Sequence, residues 1–246
     1  MKKNFTLLLL ILFTFKGFTQ SQHYTTEENE AKNLIKLNIT ALTIGSISAQ
    51  YERAVSQKMT IGTSFSILPK RSLPFLNIID HNFKLDDMQY LNNMRISSVN
   101  ITPEVRWYFG KESFKGGYIG TYLRYAHNKV TLPIDYTYNN QEQQIQMEGN
   151  INVFSIGISL GTQWKLSDKI YLDWLILGPM IGKANFILEG HKNLNPDEQE
   201  ALTTVLDGIQ IGNLNHQHQV SNSGAKLKFK TTWGGVRFLL GIGYRF

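Results

Sequence analysis

The chain has 246 residues, no cysteine, 25 Lys+Arg against 19 Asp+Glu, and a mean hydropathy of −0.22. The absence of cysteine excludes a disulfide framework and a lipidated-cysteine anchor. The basic excess is mild and unclustered, which excludes the stripe of cations that nucleic-acid binding needs.

The first stretch, "MKKNFTLLLLILFTFKGFTQ", has Lys2 and Lys3 ahead of an apolar run over 7–13, with small residues at Gly17 and Thr19. That pattern predicts a secretory signal peptide over residues 1–19, too short to be a spanning helix. Cleavage would remove Lys2, Lys3 and Lys16, leaving 22 basic residues against 19 acidic, a net +3. Residues 20–32 are polar and predict a flexible lead. Residues 33–246 then predict one domain.

That domain alternates with period two. "NLIKLNITALTI" sets Ile35, Leu37, Ile39 and Ala41 against Lys36, Asn38 and Thr40. "SISAQYERAV" and "KMTIGTSFSI" follow the same rule. "ISSVNITPEVRWYFG" places Val99, Ile101, Val105, Trp107 and Phe109 opposite Ser98, Asn100, Thr102, Glu104 and Arg106. "YIGTYLRYAHNKV", "VFSIGISLGTQW" and "KIYLDWLIL" continue it, with a bulge or kink expected at Gly178-Pro179. "GGVRFLLGIGYRF" supplies the eighth strand. Each run approaches the nine to eleven residues of a tilted membrane-crossing strand.

No apolar segment after residue 19 is long enough for a membrane helix. Connections after strands two, four and six are short, and those over 69–95, 130–149 and 189–228 are long. The first, near Gly45, is tight. This asymmetry predicts an all-β fold: an eight-stranded antiparallel transmembrane β-barrel with short periplasmic turns and long extracellular loops. Trp107, Phe109, Trp164, Tyr244 and Phe246 fall on outward faces at the periplasmic ends, where interfacial rings belong. A soluble sandwich or a lipocalin-like barrel is the competing fold, because alternation alone does not separate them.

The inward faces carry Glu52, Glu104 and Asp173 with Arg106, Arg124, Arg237 and Lys36. Eight strands leave an interior that side chains fill, so these charges are expected to pair as a structural plug. Asp80-His81, His127, His191, His216 and His218 form no nucleophile–base motif, and no catalytic, cofactor or metal residue is assigned. "NPDEQEALTTVLDGI" predicts a helix with Asn195 as N-cap, Pro196 at its first position and a box closed by Glu198. Its stripe is Ala201, Leu202, Val205, Leu206 and Ile209.

Gly241, Tyr244 and Phe246 resemble the β-signal of bacterial outer-membrane proteins, with Leu239 at a position that is usually polar. The resemblance implies recognition by the barrel assembly machinery. "SAQYERAVSQKMTIG", "ITPEVRWYFG" and "GGYIGTYLRY" are similar to units of small OmpA/OmpX-type eight-stranded barrels, in particular a family of unknown function from Gram-negative bacteria. That resemblance implies residence in the outer membrane among its lipids. A monomer with no cofactor is expected. A non-enzymatic structural or surface-interaction role is expected, with a surface ligand or partner that the residues do not name. A rim-sited hydrolase acting on lipid A or peptides, or a narrow transport channel, is the alternative.

Overall fold

Alternation of one apolar and one polar face commits most of the chain to strands, and the strands pair into one sheet. The computed structural model describes residues 31–72, 93–208 and 217–246. The signal peptide and most of the lead, residues 1–30, therefore lie outside the described residues. The elements are β1 (Asn33–Asn38), α1 (Ile39–Thr43), β2 (Ile47–Ala54), β3 (Met59–Ser72), β4 (Arg95–Tyr108), β5 (Gly116–Tyr138), β6 (Gln141–Lys165), β7 (Ile170–His191), α2 (Pro196–Gly208), β8 (Gln217–Ser221) and β9 (Gly224–Arg245).

Neighbours pair antiparallel in the order β1 to β7, then β9, then β8, and β1 also pairs with β9. That last pairing runs from Leu34↔Arg245 to Asn38↔Gly241. Asn33 N–H donates to Phe246 O at 3.1 Å, and Phe246 N–H donates to Asn33 O at 2.9 Å. The expected eight strands make the ring. The ninth, β8, is a short arm paired with the far end of β9. No helix among the described residues is long and apolar enough to cross a membrane.

The ring has two zones, distinguished by which face is apolar. On β6, Phe154, Ile156, Ile158, Leu160 and Trp164 are exposed on the outer wall, while Ser155, Ser159 and Gln163 are buried inside. Phe154 to Trp164, tilted near 45° at about 3.4 Å per residue, spans roughly 25 Å, the height of a lipid-facing band. Beyond Val153 the same strand reverses. Ile145, Met147 and Val153 are buried inside, and Gln144, Gln146, Glu148 and Asn150 are exposed. β5 does likewise, with Val130, Ile134 and Tyr136 inside and Lys129 and Asp135 outside. So does β9, where Ala225, Leu227 and Phe229 are buried beside exposed Lys228 and Lys230. No strand changes its twofold phase here; only the chemistry of the two faces is exchanged. On the outer wall of this upper zone, Glu189 pairs with Lys226, which lowers the Glu189 pKa by hydrogen bonding and charge.

The upper zone corrects the expected long loops. Residues 130–149 are mostly strand, turned by Asn139 and Asn140 at φ 50° and 57°. Two consecutive left-handed residues make the tight turn that matches strand twist. Residues 189–228 contain α2 and β8. The helix start forms as expected: Glu198 N–H donates to Asn195 Oδ1 at 2.9 Å, and Asn195 N–H donates to Glu198 Oε2 at 3.1 Å. Leu202 and Leu206 are fully buried against Ile134, Met147 and Leu188, with Ala201 and Val205 packed beside them. Each such leucine contributes about 1.5–3 kcal/mol by area. Ile209 lies outside the described residues, as does most of the 69–95 connection.

The first strand is shorter than expected. It stops at Asn38, whose Oδ1 accepts from Ala41 N–H at 3.1 Å and caps α1. Ile39 and Ala41 therefore belong to a helical turn. At the kink expected near Gly178-Pro179, the β7–β9 register shifts between Leu175 and Gly178.

Candidate functional site

Inward residues of β1, β2, β4 and β7 meet at one level of the lumen. Asp173 Oδ2 accepts from Lys36 Nζ at 2.5 Å and from Arg106 Nη1 at 2.7 Å. Lys36 also bridges to Glu52, and Arg106 Nη1 lies 3.5 Å from Glu52 Oε2. Arg106 Nη2 donates to Glu104 Oε2 at 3.2 Å. Its Nε stands 3.2 Å from Glu104 Oε1, close enough for charge pairing but not aligned for a hydrogen bond. All five side chains are almost fully buried.

Hydroxyl groups complete the cluster. Thr60 Oγ1 donates to Glu52 Oε1 at 2.5 Å, Tyr118 Oη to Asp173 Oδ1 at 2.9 Å, and Ser159 Oγ to Glu104 Oε1 at 2.7 Å. Tyr108 Oη is 2.8 Å from Glu52 Oε1 and 3.1 Å from Gln163 Oε1. Its single proton serves the carboxylate better. The Arg106 guanidinium lies 4.3 Å from the Tyr118 ring centre. Two cations face three carboxylates, so the cluster carries a formal −1. Buried charges persist only when paired and hydrogen-bonded in this way.

Below the cluster the lumen is filled by rings. Phe114, from the turn between β4 and β5, is fully buried with φ 66°, and packs edge-on to Tyr108 and Tyr171. A bulky residue at positive φ is strained, and here its buried ring holds it in place. Arg245 Nη1 donates to Tyr171 Oη at 2.9 Å.

Glu52, Glu104, Arg106 and Asp173, the pairing charges expected from sequence, come together with Lys36. Arg124 and Arg237 do not join them, which corrects the expectation that all the inward charges pair. Both lie higher, and neither forms an ion pair among the described residues. Arg124 Nη1 donates weakly to Thr102 Oγ1 at 3.4 Å. Arg237 lies 4.4 Å from the Tyr122 ring centre, and its Nη1 is buried without a hydrogen bond. Above the plug the lumen is also not filled: a cavity of about 580 Å³ opens there. A second recess, about 560 Å³, lies over Gly62 on the outer wall and is lined by Tyr51, Ile61, Pro103 and Leu123. Glu104 and Tyr122 also border it.

Alternation alone puts Tyr108 and Tyr122 on the inward faces, but it assigns the tyrosines no part in the cluster. Their signal was available: Tyr108, Tyr118 and Tyr122 share the inward phase with the charges. The histidines do not converge. His127 Nδ1 is 2.7 Å from Asn152 Oδ1, His218 Nε2 is 3.6 Å from Asp207 Oδ1, and His191 ends β7. His81 and His216 lie outside the described residues. Among the described residues, no three His, Cys, Asp or Glu are grouped to hold a metal. Of the expected assembly signal, Gly241 faces Asn38 and Tyr244 faces Ile35 across the seam, and Tyr244 and Phe246 are exposed on the outer wall.

Solved structures resemble the chain, among them two β-barrel domains. The N-terminal β-barrel domain of Pseudomonas aeruginosa OprF matches at 8% identity and TM-score 0.27, covering 89% of this chain and 100% of that one. The translocator domain of the autotransporter NalP from Neisseria meningitidis matches at 9% identity and TM-score 0.34, covering 99% of this chain and 95% of that one. No curated protein matches the sequence. The profile of the family described as "Protein of unknown function (DUF3575)" matches residues 6–180, well over half of the chain, and the protein belongs to that family.

Proposed function

We infer that this protein is an outer-membrane β-barrel with a non-enzymatic role, which holds an ordered sheet-and-helix cap at the cell surface. The observation that carries this reading is the exchange of apolar and polar faces at one level of β5, β6 and β9. An outward apolar band suits lipid. An inward apolar core under a polar wall suits water. One polypeptide meets both solvents along the same strands. The short connections, 55–58, 109–115 and 166–169, then face the periplasm, and the cap faces outside. The charge cluster and the rings below it close the lumen to ions. The lipid of the outer membrane is the barrel's solvent, the barrel assembly machinery inserts it, and it works as a monomer.

An epitope inserted after Asn140, at the tip of the β5–β6 hairpin, tests the placement. It should be labelled by antibody on intact cells. Labelling only after lysis would show that the tip is not at the surface.

A further inference from the structure

Among the described residues, the wall of the ring is incomplete at one place. β9 pairs with β1 only over Gly241–Arg245, and with β8 only over 224–228. Along the edge between them, residues 229–240 of β9 have no strand beside them among the described residues. The reason is local. Asn38 ends β1 and caps α1, so a helical turn stands where a strand would continue. One bond spans the break: Leu240 N–H donates to Thr40 Oγ1 at 3.4 Å. Val236 and Phe238 on β9, and Ile39 and Leu42 on α1, expose apolar side chains beside it. The break therefore opens within the lipid-facing band. Bare strand edges are tolerated at that depth only where they are covered by protein or line a cavity.

A cavity is what lies behind it. The 580 Å³ space above the charge cluster reaches from α1 to Trp233 and Phe238 of β9. Its floor and near wall are hydroxyls and amides, among them Ser48, Ser64 and Asn100, and its lining includes Val153 and Met180. Arg124 and Arg237 both project into it. The cluster below satisfies its own cations, whereas these two guanidinium groups have no carboxylate within ion-pairing distance among the described residues. Glu104 at the top of the cluster acts on Arg237 through space, but the cluster's formal −1 offsets only one of the two cations, and the net positive charge left in a confined space makes an anion site.

We propose that the upper lumen binds an anionic amphiphile, its acidic headgroup held between Arg124 and Arg237 and its single acyl chain passing out through the seam between α1 and β9 into the lipid. The charge, the cavity and the seam each account for one part of such a ligand. The headgroup needs the arginines and the hydroxyl-lined floor. The chain needs an apolar way out at membrane depth, which a closed wall would deny. α1 is the movable part, because a single weak bond ties it to β9 at this point. The inference goes beyond the surface role above. Its test uses purified protein, so its failure is separate from a failure of that placement.

The test uses the folded full chain in zwitterionic phosphatidylcholine nanodiscs, with dodecanoate as the probe and dodecanol and acetate as comparisons. Trp233 lies in the cavity, so its emission reports occupancy. Dodecanoate should give a saturable change that Trp233→Phe abolishes. Arg237→Gln and Arg124→Gln should each weaken binding by about tenfold or more, with Arg237→Lys recovering part of it. Gel mobility before and after boiling confirms that each variant is folded. Cysteines placed at Thr40 and Leu240 and oxidised should slow dodecanoate uptake, and reduction should restore it. An equal response to dodecanol would show that the site does not read charge. An equal response to acetate would make it a site for free anions and remove the lateral route. No saturable response from the folded barrel, or uptake unchanged by the oxidised pair, would also overturn the proposal.

Discussion

Tyr118 on β5 lies across Gly161 on β6, its partner in register, and occupies the space a side chain there would take. A Cβ at 161 would sit 2.4 Å from Tyr118 Oη and 2.6 Å from the Trp174 carbonyl oxygen. The missing side chain is what lets the tyrosine lie flat enough to bring its hydroxyl to Asp173. Tyr122 and Gly157 repeat the arrangement one layer up, with Tyr122 Oη donating to Gly178 O at 2.8 Å.

Gly161→Ala should therefore destabilise the barrel by about 1–3 kcal/mol, the usual range for overpacking a filled site. The Trp174 backbone cannot yield as a side-chain tip would. Gly161→Ala with Tyr118→Phe should not recover stability, because the clash with the carbonyl remains. Urea titration of the folded barrel, followed by gel mobility, measures both. A wild-type midpoint for Gly161→Ala would show that the close approach does not matter.

Within the charge cluster, the two signs should respond unequally to mutation. Asp173→Asn takes the formal charge from −1 to 0 and leaves Lys36 and Arg106 with two carboxylates. Arg106→Leu takes it to −2 and leaves three carboxylates with Lys36 alone. Removing one partner of a buried pair costs about 3–5 kcal/mol. Arg106→Leu should reach that range and Asp173→Asn should fall below it. Thermal loss of the heat-modifiable form orders the two, and the reverse order would contradict this account of the plug.

The same plug predicts electrical silence. Purified protein in a planar bilayer should give no reproducible single-channel steps. Phe114→Gly, which suits φ 66° but removes the ring, should stay silent too, because the charge cluster lies above it. Steady steps from the folded wild type would show that the lumen conducts.

Deleting 244–246 should impair insertion far more than Phe246→Ala. The point variant loses outward aromatic area, worth about 1.5–3 kcal/mol at most. The deletion also strips hydrogen-bond partners from Asn33 and the residues beside it on β1, at several kcal/mol for each group left unsatisfied in lipid. The amount of heat-modifiable protein in the membrane fraction is the measure. Normal levels from the deletion would mean that the β1–β9 pairing does not seal the ring.

The cap should unfold without the barrel. Leu202→Asp buries a charge under α2 and should expose the cap to added protease on intact cells. Gel mobility of the membrane-embedded part should be unchanged. Simultaneous loss of both would mean that the two zones fold as one unit.

Period-two alternation is a local property, so the sequence alone determined which residues face in and which face out across the lower zone. The Asn195 cap and the Leu202–Leu206 stripe were legible for the same reason, since a helix start is written within a few residues. The pairing of charges was not. Lys36 meets Asp173 across 137 positions only through the stagger of the strands around the ring, and that stagger is set by register. Residues 130–149 read as loop because their polarity runs opposite to that of the lower strands, although the phase of Ile134, Tyr136, Ile145 and Met147 never breaks. Only the paired sheet shows that the two faces exchange their chemistry along unbroken strands. The seam depended on tertiary structure as well: Asn38 caps a helix instead of extending β1, so strand propensity lost locally to a side-chain hydrogen bond. The gap this leaves beside β9 among the described residues exists only once β1 has paired with β9.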